Sequence, residues 1–107
     1  MPFRISGKHL DVGEALRARI ETRIAEALSK YFGGGYSGHA TVEREGSGFH
    51  TECALHLDSK VVLRADGSAR DPYASADQAV SHVEKKLRRY HRRLKDHRLR
   101  TAAPRSA

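Results

Sequence analysis

The chain has 107 residues, 38% of them hydrophobic and 31% charged, with 20 Lys and Arg against 13 Asp and Glu. That length allows one modest core and not two, and a net charge of +7 favours an anionic partner such as nucleic acid or an acidic surface. Cys53 is the only cysteine, which excludes an internal disulfide and C-x-x-C metal or redox motifs, and "MPFRISGKHL" lacks the apolar core of a signal peptide. No run approaches the ~20 apolar residues of a membrane span, so a soluble, cytoplasmic protein is expected.

Phe3 and Ile5 alternate with Arg4 and Ser6, the pattern of a short strand with one buried face. Asp11 followed by Glu14 reads as an acidic capping box opening a helix. Val12, Leu16, Ile20, Ile24, Ala27, Leu28 and Tyr31 then recur at steps of three and four, predicting a helix over about 12–32 whose outer face carries Arg17, Glu21, Arg23, Glu26 and Lys30. "GGGYSG" (33–38) ends it, the glycines suiting a left-handed C-cap and loop.

Three strands follow, "HATVERE" (39–45), "FHTECALHLD" (49–58) and "KVVLRAD" (60–66), joined by tight turns. In the middle one, Phe49, Thr51, Cys53, Leu55 and Leu57 share a core face, and His50, Glu52, Ala54 and His56 a wet one. "DGSARDP" (66–72) reads as a turn in which Asp71 caps a second helix and Pro72 takes its first position. Tyr73, Ala76, Val80, Val83, Leu87, Tyr90 and Leu94 carry that helix from about 72 to at least 95, after which Leu99 falls out of register and the helix is expected to fray or to leave the body near His97. The order β-α-β-β-β-α, with two apolar stripes needing cover, predicts an α+β two-layer sandwich: a four-stranded sheet with two helices on one face. The expected domain is 1–97, with 98–107 as a tail or the start of a linker.

The segment 84–100, "EKKLRRYHRRLKDHRLR", holds nine Lys and Arg against two acids, 9 − 2 = +7, the net charge of the whole chain. Counting about 100° per residue from Leu87 puts Lys85, Arg88, Arg89 and Arg92 outward and Lys86 and Arg93 on one flank. Lys85 with Arg89, Arg88 with Arg92 and Arg89 with Arg93 are like-charged at i, i+4, each costing about 0.2–0.5 kcal/mol in an isolated helix. A run needing only solubility could mix signs, as the first helix does. Arginine suits bidentate phosphate binding, and few exposed aromatics accompany it, so folded RNA fits better than stacked single strands. A basic-helix protein-interaction or regulatory module meeting an acidic partner is the alternative. A membrane or a calmodulin-like groove would compete with the sheet for the apolar stripe.

His50 and His56 are six residues apart on one strand, some 20 Å at about 3.3 Å per residue, too far for one metal ion. His91 and His97 have no partner at helical spacing. No cofactor, metal or small-molecule substrate is called for. Cys53 faces inward, "GGGYSG" follows a helix where a phosphate cradle would precede one, and no nucleophile elbow is present, so no enzyme is read.

"ISGKHLDVGEALRARIETRI", the "GF" entering the third strand and "DPYASADQAVSHVEKKLRR", in this element order, resemble the ribosome hibernation-promoting factors, the family that includes the ribosome-associated inhibitor. The resemblance covers about residues 3–97. It implies a double-stranded-RNA-binding-domain-like fold that binds the small ribosomal subunit in the decoding and tRNA channel through ribosomal RNA, inhibiting translation in stress or stationary phase. The family's basic positions fall on Lys85, Arg89, Arg92 and Arg93 of the second helix, with Lys86 and Arg88 added here, and on Arg17, Arg23 and Lys30 of the first. Tyr73 matches a family tyrosine read as packing, and His82 stands where some relatives have lysine. Long members continue into a second domain that pairs ribosomes; the chain is either a short form or the N-terminal domain of a long one from which that dimerisation domain is missing.

Overall fold

The computed structural model describes residues 3–8, 10–58 and 60–106, with side chains through Lys95. The elements are β1 (Phe3–Lys8), α1 (Glu14–Tyr31), β2 (Tyr36–Glu45), β3 (Gly48–Leu57), β4 (Val62–Ala69) and α2 (Pro72–Ser106). They form one four-stranded sheet in the order β1-β2-β3-β4, with β1 parallel to β2 and the other pairs antiparallel. Both helices cover the same face, as the two apolar stripes required. Their buried Leu16, Ile20, Ile24, Val80, Val83 and Leu87 meet Phe3, Ile5, Val42, Cys53, Leu55 and Leu57 of the sheet. Removing such a side chain from water stabilises the fold by about 1.5–3 kcal/mol each.

Several boundaries differ from the sequence reading. The capping box does not form: Gly13 is the N-cap in extended conformation, no side chain caps the helix, and Glu14 is already inside it. Val12 packs against the core and holds the chain extended until Gly13, which delays the start. At the other end Phe32 is an extended cap whose N–H bonds to the Leu28 carbonyl at 2.8 Å, so no left-handed glycine closes α1. Gly35 instead pairs with Asp58, N–H to carboxylate at 2.8 Å, and Tyr36, Ser37 and Gly38 already belong to β2.

Another shift is at 67–69, expected as turn and found as strand. Gly67 is there for contact and not for bending. A Cβ on it would lie 2.5 Å from the Gln78 Cβ and 2.7 Å from the Ala79 nitrogen and the Ser75 carbonyl oxygen, so α2 can rest on β4 only because position 67 has no side chain. Beside it, the buried hydroxyls of Thr51 and Ser75 stand 2.8 Å apart, and Ser75 donates to the Pro72 carbonyl.

Of the two readings for α2 near His97, fraying is not what is found: its backbone stays helical to Ser106, 35 residues or about 52 Å. The side-chain directions expected of Arg98 and Leu99 lie outside the described residues. Two members of the apolar stripe are not covered: Tyr73 is 38% and Leu94 39% exposed, because each lies beyond an end of the packed layer. Tyr73, expected as packing, instead has the Arg19 guanidinium over its ring at 6.0 Å.

Candidate nucleic-acid interface

The buried stripe of α2, centred on Val80, Val83 and Leu87, fixes the direction of every other side chain on the helix. On the flank toward β4, Gln78, His82 and Lys86 stand one turn apart. They meet the main chain of Ser68, Asp66 and Arg64 in reverse order. The Ser68 N–H donates to Gln78 Oε1 at 3.3 Å, His82 Nδ1 donates to the Asp66 carbonyl at 2.7 Å, and Lys86 Nζ donates to the Arg64 carbonyl. Four helical residues advance about 6 Å and two strand residues about 6.6 Å, which keeps the three contacts in step. Since β4 is the last strand, these side chains close an edge that would otherwise offer free N–H and C=O groups.

The flank toward α1 is tied by charge. Arg19 forks onto Asp77 through two bonds of 2.8 Å, and Arg23 reaches the same carboxylate at 3.4 Å and the Ser81 hydroxyl at 3.2 Å. The Arg19 hydrogen bond, helped by both guanidinium charges, holds the Asp77 carboxyl below its ordinary range against the opposing effect of burial. Arg17 is half-buried, with Nη1 donating to the Ile5 carbonyl at 2.8 Å. Further along, His91 Nδ1 donates to the Tyr31 carbonyl at 3.0 Å.

The nine cations singled out in the sequence therefore separate into two groups. Arg17, Arg23 and Lys86 have internal partners. Lys85, Arg88, Arg89 and Arg92 are exposed on the outer side of α2 and Arg93 on its β4 flank, all five with no partner among the described residues, and Lys30 is likewise exposed at the end of α1. Lys86, Arg89 and Arg93 border a cleft of about 290 Å³ floored by Val61, Leu63 and Tyr90. Lys30 and Lys95 border another of about 490 Å³ with Tyr31, Phe32, His91 and Leu94. Sequence reasoning missed Lys95, which extends the basic face by almost a turn, and Arg19, whose tie to Asp77 crosses 58 residues and leaves no local signal.

The exposed guanidinium and ammonium groups of this face lie unopposed by acids among the described residues, an arrangement whose chemistry suits phosphate oxygens. No group of three or more metal-ligating side chains occurs among the described residues, and no described helix is long and apolar enough to cross a membrane. Burial pushes the Cys53 thiol up to about 12, which leaves it a protonated core group at neutral pH.

The sequence model of the family described as "Sigma 54 modulation protein / S30EA ribosomal protein" matches residues 3–95. The chain belongs to this family. Among S30EA relatives, a ribosome hibernation promotion factor of Bradyrhizobium diazoefficiens is 57% identical over 107 residues, all of this chain and 53% of that protein. One of Rhizobium meliloti is 52% identical over 97 residues, 91% of this chain and 51% of that protein. The chain thus spans about half the length of these relatives. Two solved structures share the S30EA fold: the N-terminal domain of Thermus thermophilus Protein Y (TM-score 0.74, 23% identity, 81% of this chain and 94% of that one) and a ribosomal subunit interface protein from Coxiella burnetii (TM-score 0.72, 18% identity, 84% and 97%).

Proposed function

We propose that this domain is a ribosome hibernation factor that binds ribosomal RNA of the small subunit in the decoding and tRNA channel, and inhibits translation by occupying it. The observation that carries the reading is the set of five unpartnered cations, Lys85, Arg88, Arg89 and Arg92 on the outer side of α2 and Arg93 on its β4 flank. Like charges along that side cost the free protein something, and a phosphate backbone relieves them. Family membership and relatives named for ribosome hibernation support the partner. The action is steric, without turnover, in the cytoplasm during stress or stationary phase. The binding unit is residues 1–97, in keeping with a family match over 3–95; 98–107 are a tail or the start of a linker, helical in backbone as far as Ser106. Pairing of ribosomes is not assigned to this unit.

Reversing Arg89, Arg92 and Arg93 to Glu removes co-sedimentation with small subunits while the circular dichroism stays that of the native fold. The five α2 contacts contribute about −4.5 to the log–log salt slope. Wild-type binding by the triple variant would overturn the site, and a complex that outlives nuclease digestion would point to an acidic protein partner instead.

A further inference from the structure

The sheet face away from the helices has its own charge order. Strand register sets Arg4, His39, Ala54 and Arg64 in one row across all four strands. Ser37, His56 and Val62 form the adjacent row. Neither contains an acid. On the other side of the Arg4 row come Glu52 and Asp66, then Glu43, and two of these three acids have a basic group beside them: Lys8 lies 4.0 Å from Glu43 and His50 2.9 Å from Asp66.

In the acid-free half the cations are left open. Arg4 and Arg64 are exposed and without a partner among the described residues. Ala54, 4% exposed, keeps the floor between them low, and the rings of His39 and His56 stand 6.3 Å apart at a tilt of 35°. From Arg4 to Arg64 is three strand spacings, about 14 Å. This half also joins the basic side of α2. Lys86 borders both the cleft with Arg89 and Arg93 and a recess of about 280 Å³ that includes Ala54 and Arg64; the Glu52 and Asp66 carboxylates line its other side, Asp66 in contact with His50. Basic side chains therefore run from Arg93 around the capped β4 edge to Arg64 and on to Arg4, with His39 between the last two.

We infer that the acid-free half of the open sheet face is a second phosphate-binding surface, which takes the RNA backbone where it continues past α2. This rests on the RNA-binding reading of α2, and charge complementarity with continuity to that helix identifies the occupant. The sheet adds contacts from a different direction, so the domain is gripped on two faces meeting at β4.

The test uses the 107-residue chain and purified small ribosomal subunits. Arg4→Gln with Arg64→Gln reduces the steepness of the salt dependence by about 2, close to 0.9 per lost contact, with unchanged circular dichroism. Because the buried Cys53 thiol does not react, Ser37→Cys supplies a single attachment point for an iron chelate, and its hydroxyl radicals cut ribosomal RNA; Ser68→Cys, in the acidic half, cuts weakly or not at all. An unchanged slope, or no cleavage from position 37, while the Arg89, Arg92 and Arg93 reversal still abolishes binding, overturns the sheet surface and leaves the α2 reading intact. If that reversal leaves binding unaltered, the RNA-binding reading itself fails and the sheet proposal with it.

Discussion

Lys86 gives its ammonium protons to the main-chain carbonyl of Arg64, while Arg89, three residues along the same helix, has no partner among the described residues. Two basic residues of equal prominence in the sequence therefore do different work. Lys86→Ala gives up one hydrogen bond and lowers stability by about 0.5–1.5 kcal/mol. Arg89→Gln removes repulsion with Lys85 and Arg93 at about 0.2–0.5 kcal/mol each, so it leaves stability unchanged or raises it while reducing the salt slope of RNA binding by about 1. Denaturant unfolding and subunit binding of the two variants, side by side, check this; equal stability losses would contradict it.

The Thr51–Ser75 pair predicts non-additivity. Ser75 uses its own proton on Pro72, so Thr51 is the donor between the two hydroxyls. Ser75→Ala strands that donor in the core and costs about 1–3 kcal/mol. Adding Thr51→Val removes the stranded group, so the double variant is more stable than the sum of the singles by 0.5 kcal/mol or more, on the order of a direct contact. Strict additivity in a double-mutant cycle would contradict the contact.

Stability depends on pH through His50 and Asp66. The Asp66 hydrogen bond, with Glu45 nearby, raises the His50 imidazole above its ordinary range against the effect of burial, and the same bond holds the Asp66 carboxyl down. The His50 contribution is complete below the ordinary imidazole value of about 6.5 and is lost as pH rises through the raised one. The Asp66 contribution is complete above about 3.9 and is lost as pH falls through the lowered one. Asp66→Asn therefore lowers the melting temperature most near about pH 5.5 and least above about pH 9. A pH-independent difference would show that the pair contributes nothing electrostatically.

Cys53 reports on unfolding. Its thiol is buried and protonated, so an aromatic disulfide reagent at neutral pH reacts only through opened molecules, and the rate rises steeply with denaturant. Immediate reaction in native buffer would show that the β3 core face is accessible.

Periodicity made most of the fold legible. Steps of three and four placed Leu16 to Leu28 and Ala76 to Leu87 on buried stripes, and alternation placed Thr51, Cys53, Leu55 and Leu57 inward. What failed was reading glycine as punctuation. Gly67 is a packing residue whose reason, the backbone of α2 at 78–79, lies outside any local window. Asp11 has the chemistry of a cap and lost to Val12, whose contact with the core decided where α1 begins. In the site, counting angles from Leu87 separated outer from flanking cations, including Lys86 and Arg93 on the β4 side. It could not reveal that Arg17, Arg23 and Lys86 are already engaged, since their partners lie 12 to 58 residues away.

The angular division of α2 has a consequence for how such a chain can vary. On the RNA-binding reading proposed above, residues that decide whether it folds and residues that decide how strongly it holds a polyanion occupy different arcs of one helix, so they can change independently. Exchanging lysine for arginine, or adding and removing charge at positions 85, 88, 89, 92 and 93, tunes residence on the partner without touching the interior. Adaptation to a cell of different internal salt is then a matter of composition on one arc, with no repacking required.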